Sequence, residues 1–288
     1  MSEKILNGKK LADILNSELK KKIDKAIEKC GIKPALATIL VGSDPGSKVY
    51  VNIKHRTCAE VNIRSIMVDL DESISKEALK KKIIEINEDR SVHGILLQLP
   101  LPLSLRDHTE EMLEKISHIK DVDGFHPINR GKLFDYNEDL SACTPKGIIA
   151  LLEHYNIDIQ GKHVVIVNRS NLVGKPLIFM LLKRNATVTV CHSYTEDLEA
   201  FTKKADVLVV GVGKPGFITK EKIKEGSIIL DVGFNRVDSK PCGDVDFDGV
   251  LEKCGMITPV PGGVGPLTVS FLLQNTYNAY KNQINLEL

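Results

Sequence analysis

The chain has 288 residues, 42% of them hydrophobic and 27% charged, and its 39 Lys+Arg against 38 Asp+Glu leave a net charge of +1. That length accommodates two domains with a core each, and the even charge balance excludes a chain-wide basic surface for nucleic acid or an anionic membrane. No apolar run approaches the roughly 20 residues that a membrane span needs, the start Met1-Ser-Glu-Lys-Ile carries no apolar signal core, and a cytoplasmic protein is expected.

Residues 9–29 place Leu11, Ile14, Leu15, Leu19, Ile23 and Ile27 at helical spacing between lysines, with Gly31 as a stop, which predicts an amphipathic helix covering a sheet. Leu36-Ala-Thr-Ile-Leu-Val41 reads as a buried strand ended by Gly42, and Ser43-Asp44-Pro45 as a cap-then-proline helix start. In that helix Tyr50 and Lys54 stand at i and i+4, on one face near the carboxyl end of a strand, where open α/β sheets bind ligands. A tyrosine face stacks on a flat heterocycle, and a partly desolvated amine beside it serves proton transfer. The competing reading is a half-buried tyrosine with a solvated lysine.

An extended segment at 64–70, a helix at 75–87 and the strand Val92-His-Gly-Ile-Leu-Leu97 follow, and this alternation predicts βαβ units with a parallel sheet. Gln98 ends the strand before Leu-Pro-Leu-Pro102. Its amide suits either a heterocycle or Lys54, or simply caps the loop. In Lys120-Asp-Val-Asp-Gly-Phe125 three readings compete. A calcium-type loop lacks further oxygen ligands in register; an Asx-type turn is the plain choice; the third is a carboxylate that grips paired N–H donors on a flat ring. The six cysteines form no Cys-x-x-Cys pair and read as small buried hydrophobes, so neither a metal site nor a disulfide framework is indicated.

Thr144-Pro145 opens a helix near a domain boundary, and His163-Val-Val-Ile-Val167 is a buried strand whose turn, Asn168-Arg-Ser-Asn-Leu-Val-Gly-Lys-Pro176, leads into a helix. The turn lacks G-x-G-x-x-G and keeps only Gly174, but Asn168 tolerates the left-handed conformation, which would let the helix-start amides face a pyrophosphate. The next strand, Thr187-Val-Thr-Val-Cys191, ends in His192-Ser193 with no acid until Glu196. NAD enzymes usually carry an acid there, so Arg169 with Ser193 and His192 points to a 2′-phosphate and hence NADP, against the alternative of Arg169 as a surface cation. A strand at 205–216 that ends in three glycines, another of the same type at 227–234, a hairpin around Asp238 and Gly243, a helix near Val250, and a last helix at about 266–281 complete the chain. Gly262 and Gly263 in the preceding loop permit close backbone approach.

Together Tyr50-x-x-x-Lys54, Gly94-Ile-Leu-Leu-Gln-Leu-Pro-Leu-Pro102, Lys120-Asp-Val-Asp-Gly-Phe125, Cys143-Thr-Pro-Lys-Gly147, Arg169-Ser-Asn-Leu-Val-Gly-Lys-Pro176 and Pro259-Val-Pro-Gly-Gly-Val-Gly-Pro266 resemble the bifunctional methylenetetrahydrofolate dehydrogenase/methenyltetrahydrofolate cyclohydrolase family. The resemblance runs from about residue 3 to 280. It implies an α/β fold in two domains with a cleft between them. Residues 1–142 would form a three-layer α/β/α folate domain, with the helix 267–288 packing back on it, and residues 143–266 a Rossmann-like NADP domain with a parallel sheet. It implies oxidation of 5,10-methylenetetrahydrofolate by NADP, then hydrolysis of the methenyl product to 10-formyltetrahydrofolate. Lys54 would carry the proton transfers, Gln98 tune it, Tyr50 stack on the folate, and Asp123, ahead of Asp121, hold the pterin ring. Gly262 and Gly263 would border the folate; Asn168, Arg169, Ser170, Gly174, His192, Ser193 and Phe234 would surround the cofactor; and the protein would pair as a homodimer through the cofactor domain. Asn168 replaces a usual glycine and Phe234 a usual isoleucine, and both changes bear on cofactor affinity. Two other readings share the layout: a two-domain NADP dehydrogenase of the shikimate or amino-acid type, and a folate- or nucleotide-binding module in which Lys54 is only a contact.

Overall fold

The computed structural model describes residues 4–238 and 240–285. By their internal contacts these form two compact units: the chain up to Ile14 with Ala142–Ser270, and Leu15–Ser141 with the chain from Phe271 onward. Two long helices, α1 (Gly8–Cys30) and α10 (Val264–Ile284), contribute to both units.

The unit built on Leu15–Ser141 holds a parallel sheet of β1 (Ala35–Val41), β2 (Arg64–Leu70) and β3 (Gly94–Leu97) in the order β2-β1-β3. Every residue of β1 is buried, as a central parallel strand covered on both faces requires. Ala37, Ile39 and Val41 pack with Leu79, Ile83 and Ile86 of α3 (Lys76–Glu88) and with Met112 and Leu113 of α4 (Thr109–Lys115). Burying a side chain such as Ile83, which is fully enclosed, stabilises the fold by roughly 1.5–3 kcal/mol. On the opposite face a Cβ on Gly94 would meet Val122 Cγ1 at 2.6 Å and Thr276 Cγ2 of α10 at 3.4 Å. Asn275 donates to Val122 O and Ser141 O at 2.8 and 2.9 Å, and the Tyr280 ring meets His93 edge-on. Cys30 of α1 lies 3.0 Å from the Tyr280 hydroxyl, which completes helices on both faces of the sheet. Helix α2 (Pro45–Glu60) starts as its sequence predicts, with the Asp44 carboxylate accepting the Ser47 N–H at 2.7 Å and Pro45 following.

In the unit containing Ala142–Ser270, α6 (Cys143–His154) precedes β4 (His163–Val167), α7 (Gly174–Lys183), β5 (Thr187–Cys191), α8 (Leu198–Thr202), β6 (Val207–Val210) and β7 (Ile228–Asp231). The hairpin β8 (Asn235–Val237) and β9 (Lys240–Cys242), then α9 (Phe247–Leu251) and β10 (Met256–Ile257), complete it. Its five-stranded sheet is parallel throughout, in the order β10-β7-β6-β4-β5. The direction of strand progression reverses between β4 and β6, and such switch points open a crevice at the carboxyl ends of strands.

Two expectations change, and two short helices are added. Ile14, expected in the buried stripe of α1, is 39% exposed, because the stripe that packs runs through Leu11, Leu19 and Ile23. Cys30 and Cys242 are only partly buried, whereas the other four cysteines are buried, and all six are free thiols. The short helices α5 (Pro127–Phe134) and α8 lie where the sequence showed no helical period. Each starts at a local cap, His126 Nδ1 accepting the Ile128 N–H and the Asp197 carboxylate the Ala200 N–H. Among the described residues no helix is long and apolar enough to cross a membrane.

Candidate functional site

Lys54 lies in the third turn of α2, one turn after Tyr50, and its amine donates to Gln98 Oε1 at 3.0 Å. Gln98 follows β3, its N–H held by Ile39 O of the neighbouring strand and its side-chain amide donating to Leu99 O at 2.6 Å. That second bond turns the oxygen of Gln98 toward the lysine. Tyr50 is 38% exposed, which leaves ring surface for a ligand. Cys58, a further turn along, is buried, and burial pushes its thiol up to about 12, so it stays protonated beside Lys54.

The two acids of the Asp-Val-Asp-Gly block separate by task. Asp121 is buried and accepts four N–H groups, from Gly124, Phe125 and His126 and from the Asn129 amide at 2.8 Å, which ties the loop to α5. This is the Asx-type turn, and it leaves Asp121 no face for a ligand. Asp123, two residues on, is half-buried. Desolvation raises its carboxyl to about 6, and the Lys54 charge, close enough to act on it, pulls the other way. The first residue of the block, Lys120, is also structural: its buried amine donates to Asp89 O at 2.7 Å and Ile86 O at 3.4 Å, capping the end of α3. Tyr50, Lys54, Gln98 and Asp123 therefore belong to one unit, and the last three form one electrostatic group.

In the other unit the turn after β4 does not use Asn168 as a left-handed residue, since Asn168 is not among the residues with positive φ. Its side chain closes the turn instead. Asn168 Oδ1 accepts the Ser170 N–H at 2.8 Å, the Ser170 hydroxyl at 2.8 Å and the Gly174 N–H at 3.0 Å, while its amide nitrogen donates to Gly211 O after β6. The expected free helix-start amides are thus partly engaged, with the Lys175 N–H held by Ser170 O. Gly174 permits this closure, because a Cβ there would lie 2.2 Å from Asn168 O. Arg169, Ser193 and Tyr194 are exposed around the turn, with the Arg169 guanidinium 5.4 Å from the Tyr194 ring centroid. His192 Nδ1 accepts the Tyr194 N–H. Phe234 is 45% exposed beyond β7.

Gly262 takes φ 101°, and its carbonyl accepts the Lys9 N–H at 2.9 Å. A Cβ on Gly263 would lie 2.5 Å from Pro259 O, and one on Gly8 1.9 Å from Gly263 O, so this pair is packed tightly against the start of α1. Both lie in the unit of Arg169, not that of Lys54.

Two acids passed unnoticed in the sequence. Asp244 is fully buried and accepts the N–H groups of Val212, Gly213 and Lys214 after β6 and the Asn235 amide. Asp231 ends β7 and accepts the N–H groups of Gly233, Asp244 and Val245, with burial raising its carboxyl to about 6. Glycines stand at 233 and 243 because a Cβ on either would strike the facing carboxylate at 2.2 or 1.9 Å. The signal in the sequence is a glycine within two residues of each aspartate, in Asp231-Val-Gly233 and Gly243-Asp244.

Comparison with known proteins places this arrangement. Family models of tetrahydrofolate dehydrogenase/cyclohydrolase match residues 6–123 as the catalytic domain and residues 142–284 as the NAD(P)-binding domain. The bifunctional protein FolD of Sulfurihydrogenibium sp. is 50% identical over 282 residues, 97% of this chain and 98% of that one. The FolD methylenetetrahydrofolate dehydrogenase/cyclohydrolase of Campylobacter jejuni is 46% identical with a TM-score of 0.92, over 96% of this chain and 98% of that one. The N5,N10-methylenetetrahydrofolate dehydrogenase-cyclohydrolase of Trypanosoma brucei, solved with NADP cofactor and an inhibitor, is 34% identical with a TM-score of 0.93, over 98% of each chain. With its amine, amide and acid grouped in the catalytic half and its switch-point turn in the other, this chain belongs to the tetrahydrofolate dehydrogenase/cyclohydrolase family.

Proposed function

We propose that this chain oxidises 5,10-methylenetetrahydrofolate with NADP and hydrolyses the resulting methenyl cation to 10-formyltetrahydrofolate in the cytoplasm. The folate chemistry is assigned to the unit of Leu15–Ser141 and the cofactor to that of Ala142–Ser270. The observation that carries the reading is the Lys54–Gln98 hydrogen bond with Asp123 in electrostatic reach.

Hydride leaves a carbon between two nitrogens whose lone pairs stabilise the cation, so the first step needs aligned rings and no strong base. Tyr50 stacks on the folate, and the Asp123 carboxylate accepts paired N–H donors of the pterin. In the second step the deprotonated form of Lys54, in exchange with the charged form that acts on Asp123, takes a proton from the attacking water and hands it to N5 as the carbon–N5 bond opens. The hydroxyl proton departs to solvent as the formyl carbonyl forms, so one proton is released overall. Gln98 orients the amine without adding a charge that would hold it protonated.

The residues of the second unit fit a dinucleotide with a 2′-phosphate. The Asn168 turn with Gly174 brings backbone close at the switch point, the Arg169 guanidinium and Ser193 hydroxyl are exposed beside it, and no acid stands at the end of β5 to receive a ribose hydroxyl. When bound, NADP supplies the hydride acceptor. The edge strand β5 is only half-buried and would pair with a second copy in a homodimer.

The test is the purified protein with methylenetetrahydrofolate and NADP, followed by NADPH formation and methenyl absorbance. Both signals are expected, and Lys54→Met should abolish methenyl hydrolysis while keeping hydride transfer. Absence of NADPH at every cofactor concentration removes the dehydrogenase, and equal loss of both steps in folded Lys54→Met makes Lys54 a binding residue only.

A further inference from the structure

At the carboxyl end of β5 the chain turns through His192, Ser193 and Tyr194, and backbone donors close this turn three times. The His192 N–H donates to Thr195 Oγ1 at 2.8 Å, the Thr195 N–H to His192 O at 2.9 Å and the Tyr194 N–H to His192 Nδ1 at 3.2 Å. The His192 ring stands edge-on to the Tyr194 ring, 6.3 Å between centroids and 69° between planes. A side chain that is 80% exposed is thereby aimed in one direction. What lies under it is Arg169, its Cζ 5.4 Å from the ring centroid.

An exposed arginine populates many rotamers, and each that points away from a ligand weakens the grip on it. The negative face of an aromatic ring attracts the guanidinium and restricts where it goes without using any of its five N–H donors. A carboxylate would also restrain Arg169, but it would occupy donors and offset the charge that a phosphate requires. A tyrosine is therefore suited to hold this arginine while leaving it free to bind an anion.

We infer that Tyr194 is a specificity-determining residue that favours NADP over NAD by holding the Arg169 guanidinium ready for the adenosine 2′-phosphate. The inference rests on the reading of Arg169 given above. It is tested by KM for NADP and for NAD in the dehydrogenase reaction of the wild type, Tyr194→Ala, Tyr194→Leu, Tyr194→Phe, Arg169→Ala and the Arg169→Ala/Tyr194→Ala pair, with melting curves to confirm folding. Tyr194→Ala and Tyr194→Leu should raise the NADP KM relative to the NAD KM about two- to fivefold, the size of an exposed cation–π contact. Tyr194→Phe should keep the wild-type ratio, and Tyr194→Ala should add nothing once Arg169 is alanine. An equal rise for both cofactors would mean that the ring serves the adenine or the turn alone, and overturns the inference. So does a ratio unmoved by Tyr194→Ala while Arg169→Ala collapses it. If Arg169→Ala itself leaves the ratio unchanged, the 2′-phosphate reading of Arg169 fails and the Tyr194 inference falls with it.

Discussion

Lys54 donates to the oxygen of Gln98, and Gln98 is held in that orientation by its own second bond to Leu99 O. The lysine thus meets an acceptor that carries no charge. Gln98→Glu keeps the shape and adds a charge that stabilises the protonated amine, so it should lower methenyl hydrolysis by about 10²–10⁴, the usual worth of a general base. Hydride transfer, measured as NADPH formation, should fall far less. Equal loss of both activities would show that Gln98 serves substrate binding.

The carboxyl of Asp123 sits at about 6, raised chiefly by desolvation. It is charged above that value and protonated below it, so a grip that needs an acceptor-only carboxylate weakens as pH falls through about 6. The KM for methylenetetrahydrofolate, followed from about pH 8 to about pH 5, should rise across that window. Asp123→Asn should raise KM at the alkaline end and remove the inflection, and an unchanged profile in that variant would assign the titration elsewhere.

Gly174→Ala places a methyl 2.2 Å from Asn168 O and 2.7 Å from its Oδ1, and backbone there cannot step aside cheaply. Overpacking of this kind costs about 1–3 kcal/mol, and it opens the turn that Asn168 closes. The expected outcome is a lower melting temperature together with a weaker NADP Kd by titration. A wild-type Kd in the folded variant would detach this turn from cofactor binding.

Asp244→Ala leaves four N–H groups at a buried position without their acceptor. Each such donor costs about 1–3 kcal/mol, so the variant should be destabilised by several kcal/mol in urea unfolding. Asp244→Asn keeps one oxygen and should lose less. A loss under about 1 kcal/mol for Asp244→Ala would contradict the bonding described.

His93 is 2% exposed, and its Nδ1 accepts the Ala35 N–H at 3.1 Å, which requires the unprotonated nitrogen. Burial first, then the charges of Lys120 and Arg64, lower it from 6.5 to about 4. The unfolded chain takes up a proton at this residue before the folded one does, so its contribution is present above 6.5 and is lost as pH falls toward 4. A depression of that size corresponds to roughly 3 kcal/mol. Melting temperatures of the wild type should drop more steeply over this range than those of His93→Gln, and parallel curves would refute the assignment.

Local regularities carried much of the fold. The apolar periods of α1 and α3, the buried runs of β1 and β4, and the Asp44-Pro45 start of α2 each follow from residues adjacent in the chain. The short helices α5 and α8 did not, since a few residues hold too little period to be read and a single capping contact starts each one.

For the site, sequence alone determined that Tyr50 and Lys54 share a helical face and that Gln98 ends a strand, because element periodicity dictates both. For the two acids, which the resemblance had already ranked, the tertiary structure supplied the physical difference: Asp121 is consumed by loop N–H donors, while Asp123 feels the charge of Lys54. It likewise turned Asn168 from a backbone device into a side-chain one and revealed Asp231 and Asp244. The physical reason is common to all of these: a carboxylate or an amide takes its role from the donors that surround it, and those donors come from segments the chain brings together only on folding.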